Sequence, residues 1–406
     1  IAEMTVSLLD TSIKGNLHTR DVQSETPAVK GKLTASGPDL PTLIQIAGQF
    51  EPEKDSRLKS LGKYLAGTKD KSFAVATEFD VDLKTGNVDV PDLSMQALGI
   101  TMTGNLNGRQ VQSETPAMQG KLKATGPDLP LLLQMAGYFE EAENPVLGKL
   151  GRQLANVGNK EFTVETKFDV DMKNDRINVP DLTARAMGIT VAGKLEGENI
   201  ESDRGKMAGQ LQITGTDLSG VLTAVEQAEL AEVLKSVAIE AGISGNKQDL
   251  RLQPLSIKAT LSGKQIPNSP VAVALNAATQ VNLKKQTLVL DSLTLSGLGL
   301  DVKGNLNAQQ IIDAPAYDGN LVVAPFDLRQ LLKQLNQKTP LTADAKALGK
   351  VALQASFSGT KTSIVLKKVV LVLDDTQLQG DVSIMDFANP DIRFGIGIDK
   401  LNADRY

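Results

Sequence analysis

The strongest constraint on the fold of this chain is an internal repeat. The segment Val22–Phe50 returns as Val111–Phe139, identical at about 21 of 29 positions without a gap. The segment that begins at Phe73 returns from Phe162, and a more diverged copy of part of it begins at Val281. Such a chain is expected to fold as stacked copies of one supersecondary unit, each burying its apolar surface against its neighbours.

Each repeat also contains a signal for a short amphipathic helix. Asp39, Asp128, Asp217 and Asp327 each stand where an N-cap side chain would accept the free amides of a first helical turn. Apolar residues follow each aspartate at the i, i+3, i+4 and i+7 spacing of one helix face. Each unit is therefore predicted to hold one or two short helices followed by several strands.

The spacing of these aspartates defines the repeats. Successive caps are 89 residues apart twice and then 110 apart, and the extra length around Gln253–Thr279 predicts an inserted hairpin. The predicted units are 1–35, the end of a truncated repeat; 36–124 and 125–213, two repeat units; 214–323, a diverged unit with the inserted hairpin; and 324–406, a C-terminal unit and the start of the next. Ile13–Leu17 matches Met102–Leu106 inside a repeat, and the last residues from Asn402 resemble the start of a fifth helix. We therefore expect the chain to be a fragment of a longer protein.

The segments between the helices alternate between apolar and polar residues. Phe73, Val75, Phe79 and Val81 alternate with polar positions that include Glu78. Period-two alternation predicts a sheet with one dry face and one wet face, and the dry face must be covered by something. Two structures remain open: a closed sandwich with a filled core, or stacked sheets that leave a trough. The stacking of repeats and the aromatic content of only 3% weigh against a closed sandwich, but the alternation by itself is equally compatible with an ordinary filled core, and both structures stay open until the family resemblance given below.

The predicted fold is mostly β with short amphipathic helices, an elongated stack of β-sheet repeats curled into an apolar groove. An exposed apolar stripe of this size needs a partner or ligand. Lipid fits, because each CH₂ group exposed to water costs about 0.8 kcal/mol. The residues predicted to line the groove and bind lipid are Phe73, Val75, Phe79, Val81, Ile100, Met102, Leu106, Phe162, Val164, Phe168, Val170, Ile189, Val191, Leu195, Val281, Leu283, Leu300, Val302 and Leu306.

Composition excludes several classes of function. The chain has 43 Lys+Arg and 48 Asp+Glu, a net charge of -5, whereas nucleic-acid binding needs a concentrated positive face. It has no cysteine, hence neither disulfides nor thiolate metal sites. No signal-peptide pattern follows Ile1, and no stretch reaches the roughly 18 apolar residues of a membrane span. We predict no nucleic-acid partner and no cofactor.

Three groups of polar residues are candidates for catalysis or metal binding. His18 is the single histidine and has no second His or Cys to work with, so a surface position is favoured. Asp374 and Asp375 are neighbours in a predicted strand, point to opposite faces and cannot converge on one substrate. Asp80 and Asp82, like the equivalent pair in the next repeat, suggest at most weak calcium binding, and a solvated face is favoured. We predict that the chain is not an enzyme and has neither catalytic nor metal-binding residues; an enzyme acting on envelope glycans would need a convergent carboxylate pair.

Two C-terminal segments, Phe326–Gly359 and Leu371–Tyr406, resemble the AsmA family of Gram-negative envelope proteins. The matching elements are the Leu373–Thr376 strand, the Gly380 turn, Asp386–Pro390 and the closing Asp404–Tyr406. The rest of the chain is similar through its repeat architecture and pattern.

This resemblance implies a bridge-like lipid transfer protein with a repeating β-groove, anchored in the inner membrane by an N-terminal helix that this sequence lacks, and projecting into the periplasm. It implies a role in moving phospholipid or another envelope lipid between the inner and outer membranes and in outer-membrane biogenesis, and it leaves room for envelope protein partners. The alternative function is a structural scaffold or assembly factor for outer-membrane proteins, with a closed apolar core and no lipid.

Overall fold

The computed structural model describes residues 3–8, 10–20, 26–49, 57–137, 146–200, 202–246, 248–264 and 266–406. The chain divides into two compact units. The N-terminal unit comprises residues 1–200 and 220–228, and the C-terminal unit comprises residues 201–219 and 229–406.

The N-terminal unit is a meander of short strands interrupted by pairs of helices. Its strands are β1 (Met4–Leu8), β2 (Thr11–Arg20), β3 (Ala28–Gly37), β4 (Phe73–Asp82), β5 (Asn87–Ala97), β6 (Ile100–Arg109), β7 (Ala117–Gly126), β8 (Phe162–Asp171), β9 (Arg176–Ala186) and β10 (Ile189–Glu198). Its helices are α1 (Leu40–Ala47), α2 (Arg57–Leu65), α3 (Leu129–Gly137), α4 (Val146–Leu154) and, apart from its first residue, α5 (Ser219–Ala224).

The C-terminal unit has the same character. Its strands are β11 (Lys206–Thr216), β12 (Leu234–Gly245), β13 (Asp249–Gly263), β14 (Ile266–Asn282), β15 (Thr287–Gly297), β16 (Leu300–Gln309), β17 (Ala316–Phe326), β18 (Val351–Thr360), β19 (Ser363–Leu373), β20 (Thr376–Met385) and β21 (Asp391–Ile398). Its helices are α6 (Ala228–Val233, from its second residue), α7 (Leu328–Gln334) and a 3-10 helix at Ala403–Arg405.

Within each unit every strand pairs antiparallel with its neighbours in sequence, from β1 to β10 and from β11 to β21. Among the described residues β1 does not pair with β10 and β11 does not pair with β21, so each sheet is open. The prediction of a mostly β fold with short helices and repeated sheet units is confirmed.

The six strands between α6 and α7 outnumber the four strands between α2 and α3. The added pair includes the two longest strands of the described chain, β13 with 15 residues and β14 with 17. The region of the predicted insertion, Gln253–Thr279, contains the end of β13 and most of β14. The β13–β14 hairpin is therefore longer than the hairpins around it.

Aspartate side chains begin three of the helices, as the sequence predicts. The amide–carboxylate bonds are Thr42 N to Asp39 Oδ1 (3.1 Å), Leu131 N to Asp128 Oδ1 (2.9 Å) and Gln330 N to Asp327 Oδ1 (2.9 Å). Asp217 departs from the pattern, because its φ is 54° and α5 begins only at Ser219. The predicted fifth helix is the short 3-10 helix, and its N-cap Asn402 makes no side-chain capping bond.

Candidate functional site

The strand register turns the sequence alternation into one apolar side of each sheet. Phe73 lies opposite Ala97 and Val75 lies opposite Met95, and directly opposed residues of antiparallel strands point to the same side. From β1 to β10 the paired positions on this side hold only Ala, Gly, Val, Leu, Ile, Met, Phe and Thr, and from β11 to β21 they hold the same types and Tyr317. No paired position of the described strands places a charged residue there. We call this side the apolar face.

β-Bulges keep the apolar residues on this face where the alternation slips by one residue. In β5 the apolar residues are Val88 and Val90, then Leu93 and Met95, and the register shifts between Val90 and Leu93. A bulge absorbs the extra residue, so both runs stay on the same side. The same shift recurs in β9, β15 and β19. Strict alternation does not include such a slip. The face residues of these four strands were therefore absent from the predicted groove lining.

The predicted groove residues differ in their exposure. Phe73, Ile100 and Phe162 are buried, with exposed fractions of 9%, 5% and 4%. Leu283 lies in the β14–β15 turn and is 49% exposed. The other fifteen are half-buried: Val75, Phe79, Val81, Met102, Leu106, Val164, Phe168, Val170, Ile189, Val191, Leu195, Val281, Leu300, Val302 and Leu306. A filled core would bury most of these side chains fully.

The helices explain the burial at one end of the apolar face in the N-terminal unit. Leu61 and Leu65 of α2 pack in one cluster with Phe73 and Ala97. The following cluster joins α3, α4 and α5 to the end of β9. The three buried groove residues are the first residues of β4, β6 and β8, which is the helix end of the face. They belong to the covered core at the rim and offer no open surface.

Adjacent helix pairs also contact each other. Leu131 and Met135 of α3 pack against the cluster that contains α2, and the Tyr64 hydroxyl of α2 donates to Gln134 Oε1 of α3 at 2.7 Å. At the crossing of α3 and α4, Gly151 approaches so closely that a Cβ there would lie 2.7 Å from the Pro130 carbonyl oxygen. The helices therefore form a continuous row along this end of the N-terminal sheet.

The opposite end of the face is narrowed by loop residues. The loop after β6 turns back, with Val111 N donating to the Gly86 carbonyl at 2.9 Å. Gly108 is buried beneath it, and a Cβ on Gly108 would lie 2.5 Å from Val111 Cγ1. Ile311 repeats the contact with a bond from its amide to the Gln286 carbonyl, beside buried Ala308. The half-buried residues of the apolar face lie between the helix end and these loops. We call this part of the face the apolar band.

Glycines in the middle of the strands let neighbouring strands approach closely. A Cβ on Gly104 would collide with the carbonyl oxygen of Lys121. The next residue, Asn105, accepts the Lys121 amide with its side chain at 3.1 Å. The same arrangement recurs at Gly15–Asn16 and Gly304–Asn305. The asparagine side chain thus takes the place of a backbone acceptor at this register position. A residue larger than glycine before the asparagine would push the neighbouring strand away and break the arrangement.

The other side of the N-terminal sheet is polar and carries ion pairs between neighbouring strands. Lys32 Nζ lies 2.9 Å from Glu78 and Lys121 Nζ lies 3.0 Å from Glu165. Hydrogen bonding to Glu78 raises the pKa of Lys32, and the hydrogen bond from Lys121 lowers the pKa of Glu165. These exposed pairs contribute little to stability, but they help fix which side of each strand faces water.

The carboxylates considered for calcium have other partners. Asp80 pairs with Lys30 at 3.5 Å, and Asp169 pairs with Arg176 at 3.0 Å. Asp82 and Asp171 accept amides of the following turns, from Lys84 at 2.9 Å and from Asn174 at 3.1 Å. Within the described ranges, no group of three or more His, Asp or Glu residues is placed to hold a metal ion. The positions support the solvated-face interpretation.

Asp374 and Asp375 occupy the β19–β20 turn rather than a strand, with φ of 54° at Asp374. The buried Asp374 carboxylate, in a residue 9% exposed, accepts three hydrogen bonds. They come from Leu348 N (2.7 Å), Tyr406 Oη (2.8 Å) and Lys350 N (3.2 Å). Desolvation raises the pKa of Asp374, but these hydrogen bonds and the charge of Arg405 outweigh it and leave the pKa lowered. Asp375 accepts a hydrogen bond from Arg405 at 2.6 Å, so the two carboxylates hold Arg405 and Tyr406 in place.

Two further candidates remain. His18 is exposed on β2, opposite Lys30 on the polar side. A cavity of about 590 Å³ lies at the helix end of β7 to β10, and its lining combines the predicted groove residues Phe162 and Ile189 with Thr163, Arg185 and Thr190 from the polar side. None of the helices in the described segments is both long and apolar enough to cross a membrane.

The apolar band is therefore the strongest candidate for a functional surface among the described residues. It combines a composition without charged residues at the paired positions with partial exposure, and it is bounded by helices at one end and loops at the other. Comparison of the chain with protein-family profiles, with curated proteins and with solved structures found no match.

Proposed function

We propose that the apolar band binds the acyl chains of lipids and shields them from water while the head groups stay in solvent. The observation that carries the proposal is that the apolar face combines an absence of charge with partial exposure. The paired positions of the apolar face hold no charged residue among the described strands, yet fifteen of the nineteen predicted groove residues are only half-buried. A surface of this kind is stabilised by an apolar ligand that covers it.

The energy available to such a surface is large. Each CH₂ removed from water contributes about 0.8 kcal/mol, so a lipid with two acyl chains crosses water against a barrier on the order of 20 kcal/mol. A band that keeps the tails covered removes most of this barrier. Because the band has the same chemistry from repeat to repeat, a bound chain meets no position that holds it much more strongly than the next, which favours movement along the strand-to-strand direction within a sheet.

The resemblance of the C-terminal segments to the AsmA family supports a cellular setting for this activity. In that setting the chain is part of a periplasmic protein that is anchored in the inner membrane and conducts phospholipid or another envelope lipid between the inner and outer membranes. Envelope proteins would then be its partners at the membranes. The band acts as a conduit and performs no chemical reaction in this proposal.

Charge placed on the apolar band tests the proposal. Val191→Asp puts a carboxylate on the face, whereas Thr190→Asp places the same charge on the polar side of the same strand, beside Arg185 in register. We expect the purified protein to carry lipid detectable by mass spectrometry, Thr190→Asp to carry as much, and Val191→Asp to carry several-fold less with unchanged far-UV circular dichroism. Val302→Asp repeats the test in the C-terminal unit.

Two results would contradict the proposal. If the Val191→Asp and Val302→Asp proteins carry as much lipid as the unmodified chain, the band is not the binding surface. If the unmodified chain carries no lipid and takes up none from vesicles, the scaffold alternative gains support, because a scaffold for outer-membrane proteins needs no lipid.

A further inference from the structure

The long β13–β14 hairpin lies between α6 and α7 in the order of the C-terminal sheet. In the N-terminal unit, adjacent helix pairs pack directly against each other along the helix end of the sheet. Between α6 and α7 there are two more strands than between α2 and α3, which adds about 10 Å at the usual strand spacing. Helices of six and seven residues are too short to close such a gap by themselves.

The tip of the hairpin reaches across this gap. β14 pairs with β15 only from Val273 onwards, so the part of the hairpin before Val273 extends beyond the β15–β16 turn. On one side Gly263 lies against the end of α6, where an added Cβ would sit 3.3 Å from the Glu232 carbonyl oxygen and 3.5 Å from Val233. Val271, on the β14 side of the extension, is buried.

On the other side the tip holds the end of α7. Asn268 Nδ2 donates to the carbonyl oxygens of Lys333 at 3.0 Å and Gln334 at 2.9 Å. These two carbonyls belong to the last turn of the helix, whose final carbonyls have no partner within the helix itself. The Asn268 backbone adopts φ of 54°, which aims its side chain at the helix end in a conformation that asparagine tolerates.

The contact between the hairpin tip and α7 also has an energetic cost. Gln334 Oε1 is buried and has no hydrogen-bond partner among the described residues. A buried unpaired carbonyl oxygen favours any state in which water reaches it. Among the described residues, the exposed Asn268 side chain attaches the tip to α7, and the buried Gln334 Oε1 in the last turn of α7 has no hydrogen-bond partner. Both features favour a contact that opens.

We propose that the tip of the β13–β14 hairpin, which carries Gly263 and Asn268, is a detachable strap that closes the helix end of the apolar face between α6 and α7, and that its release opens a side entrance to the apolar band of the C-terminal unit. The closure rests on the contacts of Gly263 and Asn268. The use of the entrance by an acyl chain rests, in addition, on the proposed function.

Hydrogen exchange tests the closure without any lipid. Asn268→Gly removes the amide but keeps a residue that accepts positive φ. We expect the amides of Leu335, Asn336 and Gln337 at the end of α7 to exchange about tenfold faster in this variant, because the last turn loses its external donor. The matched control is Asn389→Gly, which removes an asparagine whose side chain donates to the nearby Asp386 in the β20–β21 turn. If α7 exchanges at the same rate in Asn268→Gly as in the control, the strap does not hold the helix and the proposal is wrong.

A cross-link tests the entrance. Because the chain has no cysteine, Asn268→Cys with Gln334→Cys introduces a single thiol pair that can be oxidised to lock the strap. With a pyrene-labelled fatty acid as probe, we expect uptake to slow several-fold on locking, to recover on reduction, and to be fastest in Asn268→Gly. Equal uptake by locked and reduced protein would rule out the entrance. If the unmodified protein takes up no probe, the proposed lipid function fails, while the exchange experiment still decides whether the strap closes the gap.

Discussion

The close crossing of α3 and α4 leads to a prediction whose sign is opposite to that expected from helix propensity. Alanine stabilises an exposed helix interior by about 1 kcal/mol relative to glycine, so Gly151→Ala would ordinarily make α4 more stable. At this site a Cβ would lie 2.7 Å from the Pro130 carbonyl oxygen and 2.9 Å from the Gln134 amide nitrogen. Both atoms belong to the backbone of α3, so neither can rotate away.

The size of the effect follows from these distances. Ordinary contacts of a Cβ atom begin near 3.4 Å, so the helices must separate by about 0.7 Å to admit the methyl group. Because the contacted atoms are backbone atoms, the upper part of the overpacking range applies, about 2–3 kcal/mol, and this exceeds the gain of about 1 kcal/mol from propensity. For a unit of this size, a net loss of 1–2 kcal/mol lowers the Tm by roughly 2–8 °C. Gly62 meets Pro41 and Gln45 in the same way at the crossing of α1 and α2, so Gly62→Ala should behave alike.

The assay is urea unfolding followed by circular dichroism, with Gly220→Ala as the control. Gly220 is a helical glycine of α5 whose Cβ would lie 3.6 Å from Val157, an ordinary contact distance, so its replacement should be neutral or stabilising. We expect a lower midpoint for Gly151→Ala and an unchanged or higher one for Gly220→Ala, together with faster hydrogen exchange in α3 and α4 for the former. If Gly151→Ala is as stable as Gly220→Ala, then α3 and α4 have room for a methyl group at their crossing, and the prediction of steric overpacking is wrong.

Three further predictions concern the ends and faces of the sheets. Asp374→Ala should cost about 2–4 kcal/mol in urea unfolding, because it leaves buried backbone amides without an acceptor. Since the folded pKa of Asp374 is lowered, its stabilisation is complete above the unfolded value near 4 and is lost as the pH falls through the folded pKa; a stability profile of Asp374→Asn should lack that part of the acid-side loss. Gly108→Leu should displace Val111 and make residues 109–116 more sensitive to proteolysis, and normal resistance would contradict the contact. Lys32→Ala should leave the urea midpoint unchanged within error, because its pair with Glu78 is exposed; a clear loss would show that the polar-side ion pairs do more than orient the strands.

The sequence was sufficient to predict the class of fold and the identity of the repeat. Alternation and an aspartate-capped helix at a fixed spacing are local signals, and they specify strands and helices before any long-range contact forms. They also place Val75, Val164 and Val191 on the apolar side, where the register has them. The predicted start of α5 at Asp217 failed because φ there is positive, a conformation that no local pattern in the sequence announced.

Other features depended on information that alternation does not contain. Phe73 and Val75 carry the same signal in the sequence, yet only Phe73 lies under the helices, because burial depends on where α2 rests along the strand. The slip between Val90 and Leu93 reads as a broken strand until the bulge is seen. The attachment of Asn268 to α7 joins residues that are 65 and 66 positions apart in the sequence. Strand pairing brings them together, and no local pattern in the sequence indicates this contact.

The composition of the apolar band is harder to explain by folding than that of the rims. Under the helices and beneath Val111, burial by itself excludes charge, because an unpaired buried charge is costly. At half-buried positions such as Val191 and Val302 this reason weakens, since a long charged side chain can reach water from there. Charged residues make up 22% of the chain and are frequent on the opposite side of the same strands. Packing within the sheet therefore accounts less well for their absence from the paired positions of the apolar face in the described strands. The proposed binding of acyl chains would account for it, because their surface is uncharged and apolar along its length.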